Sequence, residues 1–178
     1  MKRLFAREPL APDTVVARAD LPRGAKVLAA AEARDGTWLL GTRDHLVVVP
    51  EPSVGAAARA VPWQQVEAAD WKREVDRLRI SEVGEFGRAR PVHEHLLDDP
   101  GQLLALVRER VTASVVLQRR VVVRDRLGLI VVARRAPNGT GDLTWAYELD
   151  AGLDPDDPEV RAMADRGVRT AAEELGLA

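Results

Sequence analysis

The densest group of metal-competent side chains is His93-Glu94-His95, followed closely by Asp98-Asp99. On an extended segment residues 93 and 95 share one face, and imidazole with carboxylate suits zinc or another divalent ion. The same residues also read as a polar loop entering a helix, with Asp99 used as the cap, so no metal ligand is assigned. Asp150, Asp154, Asp156, Asp157 and Glu159 form a second acidic group. They lack the ligand spacing and the sharp-turn glycine of a calcium loop, and a solvated loop with an N-cap is the simpler reading. Arg119, Arg120, Arg124, Arg126, Arg134 and Arg135 concentrate positive charge. Neighbouring strand residues point to opposite faces, so Arg119 and Arg120 cannot serve one patch together. Ion pairing with the acidic loop is their plainest role; anion or nucleic-acid binding by the Arg119–Arg135 strands is the alternative.

Covalent catalysis has little to draw on. Ser53, Ser81 and Ser114 sit in no nucleophile elbow, and no histidine lies near them in sequence. Asn138-Gly139-Thr140-Gly141 precedes a strand, so it reads as a hairpin turn with no helix N-terminus to cradle phosphate. No catalytic or cofactor-binding residue is assigned and no cofactor is expected. Four tryptophans stand in a chain that is only 4% aromatic, which raises the question of a recognition surface. Trp38 and Trp145 alternate with aliphatic residues and read as core. Trp63 and Trp71 read as edge residues available to a partner, with Arg119, Arg120, Arg134 and Arg135 as further partner-binding candidates.

The elements that must position these residues follow from periodicity. Residues 1–24 are rich in Pro, Arg and Asp without sustained pattern and are expected to form a flexible arm. Strands are expected from Lys26 to about Ala33, Thr37 to Thr42 and His45 to Val49, joined by Arg34-Asp35-Gly36 and Arg43-Asp44 as an antiparallel meander. The prolines at 50 and 52 with the small residues after them make a loop. Val61 and Trp63 are in one phase and Val66 and Ala68 in the other, so a bulge or half-turn is expected at Gln64-Gln65. Leu78 and Ile80 mark another strand. Asp99-Pro100 starts a helix whose stripe is Leu103, Leu104, Val107 and Val111. Strands at Val115–Val123, Leu127–Ala133 and Leu143–Leu149 follow, and Asp157-Pro158 opens a last helix that Gly176 ends.

Composition bounds the function. The chain has 178 residues, 46% of them hydrophobic, which is enough for one domain or two small ones. A net charge of -2 from 26 basic and 28 acidic residues provides no global field to recruit nucleic acid or an anionic membrane. Cysteine is absent, which removes disulfides, thiolate nucleophiles and every Cys-based metal site. Met1 to Pro9 carries charge without the apolar run of a signal peptide, and no window reaches the roughly 20 apolar residues of a membrane span. A cytoplasmic protein is expected. The excess of arginine over lysine, with abundant alanine, reads as the coding bias of a GC-rich bacterial genome.

Thr37-Trp38-Leu39-Leu40-Gly41-Thr42-Arg43-Asp44-His45-Leu46-Val47-Val48-Val49, with Val61-Pro62-Trp63-Gln64-Gln65-Val66 after the loop, resembles bacterial pleckstrin-homology-like and GRAM-type domains. Whole-chain similarity is to uncharacterised proteins of high-GC Gram-positive bacteria. The resemblance implies a split β-barrel closed at one end by the helix from Asp99. Lipid-binding relatives place several cations in the first hairpin loop, where this chain offers Arg34 beside Asp35, so phosphoinositide binding is not carried over. A weaker resemblance, in the order of residues 100–175, is to double-stranded-RNA-binding domains; the acidic start Asp156-Asp157-Pro158-Glu159 of the last helix would repel phosphate.

The expectation is therefore an α+β protein. Residues 1–24 form the arm, 25–113 a pleckstrin-homology-like antiparallel split β-barrel with its closing helix, and 114–178 a three-stranded antiparallel sheet with a C-terminal helix. The expected role is a non-catalytic protein-interaction or scaffolding module that binds a protein partner or itself. An enzyme or metal-binding protein with a site near His93–His95 is the remaining alternative.

Overall fold

The computed structural model describes residues 10–177, and the part of the expected arm before residue 10 lies outside them. The fold is α+β. In chain order its elements are α1 (Asp13–Arg18), β1 (Ala29–Glu32), β2 (Trp38–Gly41), β3 (His45–Val49), β4 (Arg59–Pro62), β5 (Val66–Lys72), β6 (Arg77–Glu82) and β7 (Val92–Leu96). They continue with α2 (Leu103–Ser114), β8 (Val115–Arg124), β9 (Leu127–Arg134), β10 (Thr144–Leu149) and α3 (Pro158–Glu174). The strands lie in antiparallel sheets of order β1-β2-β3-β4, β5-β6-β7 and β10-β9-β8, and among the described residues no barrel closes. The expected half-turn explains the break. A 3-10 turn at Trp63–Gln65 ends β4, and β5 begins a different sheet.

The chain divides into two compact units, neither continuous in sequence. One comprises Met1–Pro62, Trp71–Leu78 and Glu94–Arg108; the other comprises Trp63–Asp70, Arg79–His93 and Glu109–Ala178.

In the first unit the meander forms in the expected order, with Ala31 opposite Leu39 and Leu40 opposite Val47. Gly36 takes φ 79° in the first hairpin, where Asp35 Oδ1 accepts from Thr37 N at 3.0 Å. Residues 10–24 depart from the loose arm expected there. Ala11, Val15 and Ala19, spaced at i, i+4 and i+8, are buried against Leu40, Val47 and Val49. A helix of only six residues behind Pro12 shows too little periodicity to be read from sequence. Asp99 also acts locally: its Oδ1 accepts from Gly101 N at 2.8 Å, Leu103 N donates to Pro100 O at 3.0 Å, and α2 begins only at Leu103.

In the second unit β8, β9 and β10 pair as expected, with Arg119 opposite Val131 and Val131 opposite Tyr147. Helix α3 covers one face through Val160 and Ala164, which cluster with Leu129 and Val131. Asp157 caps it by accepting from Glu159 N at 2.8 Å, and Gly176, at φ 70°, ends it.

Candidate functional site

Strand β8 offers the longest uncovered surface of its sheet. It is terminal in the order β10-β9-β8 and pairs, among the described residues, with β9 alone. Its burial alternates without a break over 10 residues. Leu117, Arg119, Val121 and Val123 are half-buried toward α3, whereas Val116, Gln118, Arg120, Val122 and Arg124 are exposed. Val116 and Val122 keep 43% and 55% of their surface open, large values for aliphatic side chains in a sheet. The Val-rich run makes the strand, and Asp125, at φ 50°, turns it into β9. Small register irregularities lie near its two ends, between Val115 and Leu117 and between Val122 and Arg124.

The arginines of this strand are committed to carboxylates. Arg119 pairs with Glu174. Arg120 Nη1 donates to Asp150 Oδ1 at 3.0 Å and its Nη2 to the Arg126 carbonyl at 3.2 Å. Arg124 Nη2 lies 2.7 Å from Asp157 and 2.5 Å from Glu159. Hydrogen bonds from Arg120 and Arg124, and then from backbone N–H groups, hold the Asp150 and Asp157 carboxyls below the usual carboxylate range. The acidic loop of 150–159 therefore neutralises the basic strand.

Arg134 belongs to the interior. Only 5% exposed, it donates to Val66 O at 3.0 Å, Glu67 O at 2.8 Å and Ser114 Oγ at 2.9 Å. Arg135 is half-buried, and its backbone N donates to Ser114 O at 2.8 Å. Neither arginine extends a cationic face with Arg120. Trp63, expected at an edge, is fully buried and offers no docking surface, because the 3-10 turn that carries it points it inward. Trp71, Trp38 and Trp145 are half-buried.

Of the candidate metal residues, His93, Glu94 and His95 lie on a strand, β7, where a polar loop is the simpler expectation, and Asp98 and Asp99 follow it. His93 and His95 share its half-buried face. They are not gathered around one point: His93 Nε2 lies 2.6 Å from Glu82 Oε1, Glu94 takes Arg77 at 3.2 Å, and Asp98 takes Arg34 at 2.6 Å. Among the described residues no group of His, Asp and Glu is placed to hold a metal ion. Arg34, the lone cation of the first hairpin, is also bonded to Asp76 at 2.7 Å.

Glu67 is buried, with Oε2 2.7 Å from Arg90 Nε, while Arg90 Nη2 donates to Tyr147 O at 2.7 Å. Burial pushes the Glu67 carboxyl up, against the opposing effects of Arg90 and Arg134. This pair borders a cleft of about 450 Å³ lined by Phe86, Tyr147, Leu149 and the 84–90 loop. Burial raises the Tyr147 phenol too. Glu85 and Asp150 line the same cleft, and Glu67 also borders a second one with Ser81 and Glu148. Nothing in Val66-Glu67-Ala68 marks a buried acid, since alternation puts Glu67 opposite its apolar neighbours.

Comparison of the chain with protein-family models, with characterised proteins and with solved structures finds no match. Among the described residues no helix is long and apolar enough to cross a membrane.

Proposed function

We propose that the protein is a non-catalytic interaction module that takes up a protein strand along the open edge of β8. One observation carries this reading: a ten-residue terminal strand has, among the described residues, no partner on its outer edge, and it exposes Val116 and Val122. An edge of this kind presents a row of free N–H and C=O groups, and added strands draw affinity from them and specificity from alternate side chains. The neutralised arginines favour a protein strand over a phosphate-bearing ligand, because a partner's phosphates would first have to displace Asp150, Asp157 and Glu174. The likeness of residues 37–66 to pleckstrin-homology-like domains belongs to the same proposal, as a scaffold without lipid-binding cations.

The test compares the wild-type chain with Val116→Lys/Val122→Lys, each tagged and recovered from its source organism. Proteins retained by the wild type are expected to be lost from the double variant at unchanged melting temperature. Equal retention by both overturns β8 as the binding edge.

A further inference from the structure

We infer that the strand taken up by β8 is β8 of a second copy, in a single register with Arg119 opposite Arg119. The inference rests on the edge-binding reading above and names its partner.

Two identical edges pair antiparallel only about a two-fold axis normal to the sheet, giving an isologous contact. Residues directly opposite must then project on the same face, and faces alternate along a strand. The axis must therefore pass through a residue and not between two. Around the middle of β8 four centres are available, at residues 118, 119, 120 and 121.

Centre 119 pairs Val115 with Val123, Val116 with Val122, Leu117 with Val121, and Gln118 with Arg120. Every aliphatic residue meets an aliphatic residue, Gln118 meets Arg120, and Arg119 meets its own copy. Centre 118 sets Val116 against Arg120 and Leu117 against Arg119. Centre 120 sets Val116 against Arg124 and Gln118 against Val122, and centre 121 sets Arg119 against Val123 and Arg120 against Val122. Only one register is self-complementary. Its inner pairs, 117 with 121 and 118 with 120, fall within the regular stretch between the two irregularities of β8. The pair of 116 with 122 joins the two aliphatic side chains that the isolated chain leaves most open on this strand.

Like charges opposite one another normally oppose pairing. Here each Arg119 carries its own Glu174, so the axis brings together two ion pairs with alternating signs. That arrangement makes Glu174 a condition of association: Glu174→Gln leaves two uncompensated guanidinium groups facing each other.

The absence of native cysteine makes the register directly readable. Directly opposite residues have Cα atoms about 4.5–5.5 Å apart, within the Cα span of a disulfide, whereas residue 116 lies about 20 Å from its own copy in this register. Val116→Cys and Val122→Cys chains, mixed and oxidised, are expected to give a disulfide-linked dimer, and either chain alone is expected to give none. Sedimentation should show the wild type as a concentration-dependent dimer and Glu174→Gln with at least a tenfold weaker association. A Val116→Cys chain that cross-links to itself overturns the register. A wild type that stays monomeric up to about millimolar concentration overturns self-pairing; the capture experiment with Val116→Lys/Val122→Lys then reads separately whether β8 binds another protein. A dimer that survives Val116→Lys/Val122→Lys overturns self-pairing through β8.

Discussion

Arg134 Nη2 donates to the backbone carbonyl of Glu67 across 2.8 Å, so an arginine at the end of β9 closes the hydrogen bonding of the chain that leaves the Trp63 turn. Its Nη1 reaches the Val66 carbonyl at 3.0 Å. Two buried acceptors thus depend on one planar fork, which lysine cannot reproduce. Burial lowers the Arg134 pKa, and Glu67 and Glu148 oppose that shift. Removing the side chain takes a donor from each of these two carbonyls, at about 1–3 kcal/mol each where no other donor replaces it. Arg134→Ala is expected to lose about 2–4 kcal/mol in urea unfolding, and Arg134→Lys to recover only part of that. An unchanged midpoint for Arg134→Ala would contradict the structural role.

Glu67 should impose a pH dependence of unusual sign for a carboxylate. Burial, the largest influence, raises its pKa in the folded protein. The folded state therefore holds the proton to higher pH than the unfolded chain does. Its stability contribution is complete below the ordinary glutamate value of about 4.3 and is lost as pH climbs through the raised value. Glu67→Gln removes the titration. The variant's stability relative to wild type is expected to rise between about pH 4 and the raised pKa and to level off above it. A relative stability that falls over that range refutes the sign.

The same two residues mark what sequence could and could not reveal. Period-two alternation identified the three strands from residue 115 onward, and Asp157-Pro158 with Gly176 bounded α3, because these signals are local. The meander was legible for the same reason. Glu67 and Arg134 were not, since their burial is set by contacts 67 residues apart along the chain. Trp63 was misplaced because a 3-10 turn breaks the alternation on which its expected exposure depended. β8 could be recognised as a strand, but its place at a sheet edge is a property of pairing, which alternation alone does not specify.

Two glycines without side chains set how closely elements approach in the second unit. A Cβ at Gly167, on α3, would stand 2.7 Å from Val121 Cγ2 and 2.9 Å from Val131 Cγ2. One at Gly128 would stand 2.2 Å from the Val121 carbonyl oxygen. Valine methyls can shift slightly, whereas a backbone oxygen within a sheet cannot. Gly167→Ala gains up to about 1 kcal/mol of helix propensity and is expected to lose about 1–3 kcal/mol to overpacking, giving a modest fall in melting temperature. Gly128→Ala is expected to cost more and to disturb the β8–β9 pairing, read as lost amide protection on both strands. Equal effects of the two variants would contradict this account.

Tryptophan burial separates packing from recognition. Trp63 is 0% exposed and supports the turn between β4 and β5, whereas Trp71 is half-buried on β5. Truncating a fully buried Trp typically costs about 3–5 kcal/mol, while a partly exposed one loses only its covered area. Trp63→Ala is expected to lose several times the stability lost by Trp71→Ala. Fluorescence gives an independent check that does not depend on folding energetics. Trp71→Phe should reduce the fraction of emission quenched by iodide, and Trp63→Phe should leave the quenched intensity unchanged. If Trp63→Phe instead removes the quenchable signal, that residue meets solvent and its place in a recognition surface is restored.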